Sequence, residues 1–297
     1  MTNKKDTNIF NRMMSIDRRW VFLLLIAVCL TAYFLPFSVP IMVEPEVAVI
    51  HEFVDTLPPG SIVFLAIDYD PASLAELHPM TYALLEQCFR RNLKVMCTAL
   101  HPNGPSMAEA AFLDVADSCR MDKTYHGEFF PGREVVNGVD YCFLGYKPYP
   151  ALVILGMGTN FRLPYPADYY GTPLDSVPMM RGVQNYDQTA CVVNISGTSG
   201  TEYWISYGQG RFNFPLALGV TGVMGAEYYP YLNSGQVFGY MAGMLGAAQY
   251  EKLADNPGKA IIAMKVQLYA HFLIIFFIII GNVGFFMDKF KTYREGR

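Results

Sequence analysis

The chain has 297 residues, of which 52% are hydrophobic and 16% are charged, and its net charge is −4. Soluble domains carry about 25% charged residues, so this chain is poor in charge, and its abundant apolar and aromatic residues exclude intrinsic disorder. A negative net charge without a Lys/Arg-rich patch argues against a nucleic-acid-binding protein. Six cysteines in this length do not make a disulfide scaffold.

The first apolar segment follows a basic tail. Residues 1–19 carry a net charge of +3, and residues 20–43 contain no charged residue. About 20 apolar residues cross a bilayer as a helix, and Pro36 predicts that this helix ends or kinks near Leu35. A signal peptide is the alternative interpretation. Because no cleavage site of small residues follows, we predict an uncleaved transmembrane anchor.

The second apolar segment is residues 266–287, which also lack charge and precede a basic tail, residues 288–297, of net charge +2. The intervening residues 44–265 carry a net charge of −9. The positive-inside rule then predicts a two-pass protein of a prokaryotic inner (cytoplasmic) membrane, with both termini cytoplasmic and 44–265 as an extracytoplasmic domain. Residues 228–250 are uncharged too, but their polar residues and Pro230 predict a turn followed by a buried helix rather than a third span.

Within the domain, short apolar runs alternate with helical patterns. The predicted strands are 61–70, 93–100, 139–146, 151–155, 190–195 and 214–223, and the predicted helices are 71–92, 106–119 and 235–253. Pro79 predicts a split in the first helix, and Ser106 is a predicted N-cap of the second. Strands that are apolar on both faces are typical of a parallel sheet covered on two sides. We therefore predict a three-layer, doubly wound, mostly parallel sheet of Rossmann-like or flavodoxin-like order, flanked by an N-terminal and a C-terminal transmembrane helix.

Ligands of open α/β sheets bind beyond the carboxyl ends of the strands. Polar or glycine-rich residues follow four of the predicted strands and define a candidate ligand-binding crevice: Asp68, Asp70, His101, Asn103, Gly156, Gly158, Thr159, Asn160, Ser196, Thr198 and Ser199. Each has a structural alternative. The two aspartates can cap the following helix, and residues 196–201 can be a simple turn rather than an anion-binding nest.

The sequence lacks the common catalytic patterns. It contains no GxSxG, HExxH or CxxC motif. One pair of carboxylates falls far short of a full metal-ligand set, so we predict neither a metal nor a cofactor. Cys142 and Cys191 fall in predicted strands, where an inert buried thiol is expected.

Two features favour protein contacts. The long segment 161–189 is rich in Pro and Tyr, and Tyr165, Tyr169 and Tyr170 are candidate interface residues because aromatic residues are enriched at interfaces. Small residues recur four apart in the predicted helix 235–253 and would share one face: Gly235, Gly239, Gly243 and Ala247. That face can pack on the domain's own sheet or against another subunit.

We therefore expect a non-catalytic structural or interaction subunit of a larger membrane complex. Its expected partners are the lipid bilayer and other membrane-protein subunits or a second copy of the chain. A ligand-binding or sensory domain that uses the crevice is the alternative. A membrane-tethered hydrolase that uses Asp68 or Asp70 is less favoured.

Overall fold

The computed structural model describes residues 17–35, 39–125, 127–255 and 258–294. Residues 1–16 of the predicted basic tail, and the last residues of the C-terminal tail, lie outside the described residues. The chain divides into two compact units. One is residues 40–261, and the other combines the described residues before 40 with those after 261.

A six-stranded parallel sheet is the centre of residues 40–261. The strands are β1 Ile62–Asp68, β2 Lys94–Ala99, β3 Lys123–Tyr125, β4 Glu128–Phe130, β5 Tyr141–Tyr146, β6 Cys191–Ser196, β7 Leu216–Val220 and β8 Gly239–Ala242. The six-stranded sheet has the order β5-β2-β1-β6-β7-β8, while β3 and β4 form a separate antiparallel pair. This is the Rossmann order, in which the direction of progression reverses between β1 and β6.

Helices cover both faces of the sheet. In chain order, the described helices are α1 Arg18–Phe34, α2 Pro45–Thr56, α3 Leu74–Arg90, α4 Gly104–Cys119, α5 Pro150–Thr159, α6 (201–212), α7 Gly225–Asn233, α8 Gly243–Leu253 and α9 Lys259–Arg294. Of these, α2 to α8 lie within residues 40–261. The middle of α6, Trp204–Gln209, is wound as a π-helix. The layer formed by α2, α3, α4 and α8 covers one face, and α5, α6 and α7 cover the other. The predicted Rossmann-like α/β sheet is confirmed.

The sequence of β1 explains why it lies at the centre. It reads IVFLAID, and every residue is buried. Since successive side chains of a strand point to opposite faces, a strand covered on both sides must be apolar throughout. On the α5–α6 side the ring of Phe64 packs within 5.8 Å, centroid to centroid, of the rings of Phe161, Tyr186 and Trp204. This aromatic cluster fixes segment 161–189 onto the sheet.

Two helix boundaries differ from the sequence expectation. The predicted split at Pro79 is wrong, because α3 runs through it without a break. Pro79 lies in the second turn, so the missing N–H removes a single helical hydrogen bond close to the end of the helix, where the first N–H groups are unpaired in any case. Helix α4 starts two residues before the predicted cap Ser106, whose hydroxyl donates to Asn103 O at 2.9 Å.

Two predicted elements are of the wrong type. The predicted strand 151–155 is the body of α5, which Pro150 starts at its first position. The predicted helix 235–253 is strand β8 followed by helix α8. A short apolar run does not distinguish strand from helix by its periodicity, and both errors come from that ambiguity. Residues 228–250 are thus divided among α7, β8 and α8, which agrees with the expectation that they are not a third span.

A buried ion pair ties α3 to the end of α4. Arg90 Nε donates to Glu86 Oε1 at 3.0 Å, and both side chains are almost fully buried. The same guanidinium donates to Ser118 O at 3.2 Å, and Lys123 Nζ lies 3.1 Å from Glu86 Oε1. The pair satisfies its own charges and also the free carbonyl groups at the end of α4.

Glu86→Ala is expected to lower the free energy of unfolding by about 3–5 kcal/mol, because Arg90 is then left buried without its carboxylate. Chemical denaturation of the purified full chain measures this loss. The control is Asp117→Ala, which removes the partner of Arg120 in an exposed pair and should cost about 1 kcal/mol or less. Equal losses in the two variants would contradict a structural role for the buried pair.

The second unit contains α1 and α9. Residues Lys259–Met287 of α9 form the one helix, within the described residues, that is long and apolar enough to cross a membrane. Helix α1 has 17 residues and ends at Phe34, as Pro36 predicts, which makes it shorter than the predicted span 20–43. Lys265 Nζ donates to Leu35 O at 2.7 Å. The C-terminal end of α1 therefore lies beside the N-terminal part of α9.

Candidate functional site at the carboxyl edge of the sheet

The reversal between β1 and β6 places Asp68 and Ser196 side by side at the carboxyl edge of the sheet. Loops that leave neighbouring strands in opposite directions open a crevice at this point, which is where Rossmann-like proteins bind ligands. The structure brings together here the polar residues that follow β1, β2 and β6. This position is the candidate site.

Asp68 is held by three donors inside the domain. Its carboxylate accepts hydrogen bonds from Leu100 N at 2.6 Å, Asn194 Nδ2 at 2.8 Å and Trp204 Nε1 at 3.0 Å. The residue is 2% exposed, and burial raises the pKa of its carboxyl group, an effect that the three donors oppose. Asp68 therefore joins β1 to the end of β2, to β6 and to α6. It does not cap the following helix.

Asp70 does not cap α3 itself, whose N-cap Ser73 has no side-chain capping bond, but holds the turn before it. Its Oδ1 accepts from Ala72 N at 3.1 Å and from Ser73 N at 3.2 Å, directly before α3. The side chain remains partly exposed. Asp70 thus shapes the loop after β1 and keeps part of its carboxylate accessible to solvent.

The loop after β6 is held by its own hydroxyl groups. Ser196 is buried, and its Oγ donates to Thr198 O at 3.0 Å and accepts from Thr198 N at 3.2 Å. A Cβ on Gly197 would overlap Ser73 Oγ, so the loops after β1 and β6 touch across the reversal point. Thr198 and Ser199 lie at the rim, the second of them exposed. This rim offers a ligand the hydroxyl groups of Thr198 and Ser199 and the solvent-accessible part of the Asp70 carboxylate.

The loop after β2 covers the other side of Asp68. His101 is partly exposed, and its Nδ1 accepts from the backbone N–H of the exposed Asn103 at 3.3 Å. A Cβ on Gly104 would overlap Ile67 O, which shows how closely the start of α4 approaches β1. His101 is near enough to Asp68 to lower the pKa of its carboxyl group by charge interaction, although burial has the larger, opposite effect.

Four predicted crevice residues do not belong to this edge. Gly156, Gly158, Thr159 and Asn160 end helix α5 instead of following a strand. The next residue, Phe161, donates its N–H to Gln184 O at 2.7 Å, and Gln184 lies shortly before the first residue of β6. The end of α5 is therefore near the amino edge of the sheet. A Cβ on Gly158 would overlap the ring of Phe212, so this glycine serves packing between α5 and α6.

The tyrosines of segment 161–189 have different environments. Tyr165, predicted at an interface, is fully buried in the domain's own core, where its hydroxyl lies 2.6 Å from Thr98 Oγ1. That prediction is wrong for Tyr165. Tyr169 and Tyr170 remain about half exposed, and Tyr169 N donates to Phe143 O at 2.8 Å. The segment thus covers the free edge of β5, which is where unpaired strand groups need a partner.

The predicted small-residue helix face does not exist. Gly235 lies in a turn, Gly239 begins β8, Gly243 begins α8 with φ +59°, and Ala247 is buried within α8. A Cβ on Gly239 would overlap Ile50 Cγ1 of α2, and one on Gly243 would lie 2.9 Å from Gly222 Cα. These small residues permit close packing within the domain, which is the first of the two alternatives given by the sequence.

The cysteines of the domain are buried thiols. Cys142 and Cys191 lie in β5 and β6 as predicted, and burial raises the pKa of each thiol to about 12. All six cysteines of the chain are free. A thiol with so high a pKa stays protonated at neutral pH and is a poor nucleophile.

Sequence reasoning missed three residues that organise the edge. Asn194 and Trp204 donate to Asp68, and Glu76 Oε2 accepts from Gly222 N at 2.7 Å, which joins α3 to the loop after β7. A polar residue inside the apolar run CVVNI was a usable signal for Asn194, since a buried amide must find a partner. Trp204 and Glu76 carried no such local signal, because their partners are distant in sequence.

The candidate site is thus a rim of small polar groups above the buried carboxylate of Asp68, which accepts three hydrogen bonds from the domain itself. No protein-family model matches the chain, and no curated protein or solved structure is significantly similar to it.

Proposed function

We propose that this chain is a two-pass membrane-anchored protein whose α/β domain is extracytoplasmic and acts as a non-catalytic interaction subunit of a larger membrane complex. Its partners in this proposal are other membrane-protein subunits or a second copy of the chain. The observation that carries the proposal is the exposed aromatic surface of the α5–α6–α7 layer.

That surface consists of large exposed side chains carried by α5, α6 and α7 and by the residue directly before α5. The exposed members are Tyr149, Leu152, Tyr203, Tyr207 and Tyr229. The rings of Tyr203 and Tyr207 stack in α6 with centroids 6.0 Å apart. Tyrosine is enriched at protein interfaces because it offers a large rigid area and a polar end. The π-helical turns of α6 fit a functional surface, since such distortions occur frequently at functional sites.

The carboxyl edge supports a non-catalytic role. The acidic residue in the usual ligand position, Asp68, is occupied by three donors and is shielded from solvent. A general base or nucleophile must reach the substrate directly. The remaining groups at the rim are hydroxyls and the Asp70 carboxylate, which is hydrogen-bonded to the turn before α3.

The two-span anchor rests on α1 and α9 together. Most side chains of α1 are exposed although they are apolar, among them Trp20, Phe22 and Phe34. The bond from Lys265 to Leu35 O joins the C-terminal end of α1 to the N-terminal part of α9. Apolar helices that expose their side chains are stable in lipid rather than in water. The excess of Lys and Arg in both tails supports cytoplasmic termini.

Native mass spectrometry after gentle detergent extraction tests the proposed role. A defined complex with other subunits, or a defined oligomer, is expected. The double variant Tyr203→Ser/Tyr207→Ser should release the chain from that complex, because both rings leave the exposed surface while the core is untouched. The control is Leu113→Ser, which removes an exposed apolar side chain from α4 on the opposite layer. A wild-type chain that extracts only as a monomer would refute the proposal.

A ligand-binding or sensory domain is the second candidate. This candidate is favoured because the loops after β1 and β6 are in contact with each other. At that position Asp70, Thr198 and Ser199 have polar groups that are accessible to solvent. A hydrolase that uses Asp70 is a less favoured form of the same idea. A ligand whose binding is lost in Asp70→Ala, with the complex intact, would support this candidate.

A further inference from the structure

Two polar side chains lie inside the apolar part of α9. His271 and Asn282 are each five residues from an end of the uncharged segment 266–287, and both are exposed in the single chain. Asn282 Nδ2 donates to Ile278 O at 2.8 Å, which leaves the amide a second N–H and its carbonyl oxygen. Hydrocarbon offers such groups no hydrogen-bond partner, so polar side chains within membrane spans almost always face other protein groups or water-filled cavities.

The two polar side chains share one face of the helix. With 3.6 residues per turn, residues eleven apart differ by about 20° around the axis. Ile275, Ile278 and Phe285 continue the same face, and each is at least half exposed. The series 271, 275, 278, 282 and 285 is spaced alternately by four and three residues, which is the spacing of a helix seam that packs against a second helix. We call these five residues the α9 seam.

The chain itself covers the opposite side of α9. Of residues 271–287, all of which are described, the four that are not exposed are Leu273, Phe277, Ile280 and Gly284. At 3.6 residues per turn they lie roughly 180–240° around the axis from His271. The α9 seam is therefore turned away from the side that the rest of the chain covers.

The chemistry of the α9 seam is self-complementary. A neutral imidazole has one N–H and one lone-pair nitrogen, and a carboxamide has N–H donors and an oxygen acceptor, so each can bond to an identical group. When two copies have the same orientation in the membrane, a two-fold axis along the membrane normal brings each seam residue beside its own copy. A helix of a different protein would need polar groups at the depths of both His271 and Asn282, whereas a second copy has them by symmetry.

We propose that two copies of this chain form a parallel dimer through the α9 seam, with hydrogen bonds between the two His271 side chains and between the two Asn282 side chains. This inference rests on the proposed function, in which α9 crosses the membrane, and it names a second copy as one of the partners. An asparagine in such a seam also fixes the register of the two helices. The exposed tyrosines of α6 remain available to another subunit.

Cysteine cross-linking of the full chain in its membrane tests the proposal. The background is Cys29→Ser, because the other five cysteines are buried in the domain. Ile278→Cys lies in the α9 seam. Its matched control is Phe276→Cys, since the two native side chains are similarly exposed (56% and 53%) and lie about 160° apart around the helix. With copper phenanthroline as the oxidant, we expect Ile278→Cys to form a disulfide-linked dimer of twice the 33.3 kDa chain and Phe276→Cys to form none.

Leucine substitutions test the two polar side chains. His271→Leu and Asn282→Leu should each weaken dimerisation about tenfold, because each removes an interhelical hydrogen bond. Energy transfer between donor-labelled and acceptor-labelled full chains in lipid vesicles measures the loss. Asn282→Gln, which keeps the amide, and Phe276→Leu, which lies outside the α9 seam, should dimerise like the wild-type chain. Unchanged dimerisation of the double variant His271→Leu/Asn282→Leu would overturn the proposal.

The remaining outcomes separate this dimer from the proposed function. A product of Ile278→Cys with a different protein, or equal cross-linking by Phe276→Cys, would overturn the second-copy contact. A chain that resists alkaline carbonate extraction but gives no cross-link would refute the α9 contact alone. A chain that carbonate releases would refute the two-span anchor and this proposal with it.

The variant of the α6 surface provides the last control. Tyr203→Ser/Tyr207→Ser should leave the Ile278→Cys cross-link unchanged, because neither tyrosine belongs to the α9 seam. Loss of the cross-link in that variant would place the dimer contact in the domain and overturn the proposal.

Discussion

Asp68→Ala is expected to lower the free energy of unfolding by about 3–5 kcal/mol. The substitution leaves Leu100 N, Asn194 Nδ2 and Trp204 Nε1 without their acceptor in the interior. An unsatisfied buried donor costs about 1–3 kcal/mol, and the lost contacts act together because they join three separate elements. Chemical denaturation followed by the emission of the buried Trp204, in a Trp20→Phe background, measures the loss directly.

The control for this experiment is Asp70→Ala. Asp70 accepts from two backbone N–H groups in the turn directly before α3 but remains partly exposed. Loss of its hydrogen bonds at this partly exposed position costs about 1 kcal/mol. If Asp68→Ala were no more destabilising than Asp70→Ala, the Asp68 carboxylate would not be a structural link between β1, the end of β2, β6 and α6, and a solvent-facing role for Asp68 would regain support.

The sheet was predictable because most of its strands can be recognised from their own short stretch of sequence. A fully apolar run such as residues 62–67, bounded by turn residues, has few alternatives, and its position at the centre follows from burial on both faces. The order of the strands was not predictable to the same degree. The Rossmann and flavodoxin orders use the same alternation of elements, and they differ only in non-local pairings such as β1 with β6.

The candidate site was predictable only where it depends on the ends of true strands. Asp68, His101 and Ser196 were found because β1, β2 and β6 were found. Gly156 and its neighbours were assigned to the site because a ten-residue apolar helix, α5, resembles a strand in composition. The partners of Asp68 come from 126 and 136 residues further along the chain, so no local pattern carries that information.

The same reasoning explains the error at the small residues of 235–247. Their spacing of four fits a helix face, but spacing alone says nothing about what the face packs against. Gly239 in fact lies in β8, where α2 crosses so closely that a Cβ would overlap Ile50 Cγ1 and lie 3.1 Å from Val49 Cγ1. Glycine in a strand often marks such a close approach of another element.

Gly239→Ala is therefore expected to destabilise the domain by about 1–3 kcal/mol, the usual cost of overpacking a filled core. The matched control is Gly156→Ala in α5, where the added Cβ would lie 3.5 Å from Pro164 Cδ, an ordinary contact. That variant should keep or slightly raise stability, since alanine favours a helix more than glycine does. Thermal unfolding of the full chain compares the two.

A double-mutant cycle with Ile50 identifies the cause. Ile50→Ala alone should cost about 2–5 kcal/mol, because the side chain is fully buried. Combined with Gly239→Ala, the loss should be clearly smaller than the sum of the two single losses, since the new methyl group then occupies space vacated by Ile50. If Gly239 instead faced another subunit, Gly239→Ala would leave the unfolding temperature of the isolated chain unchanged and would release the chain from its complex. In that case the double-mutant cycle would show no coupling between Gly239 and Ile50.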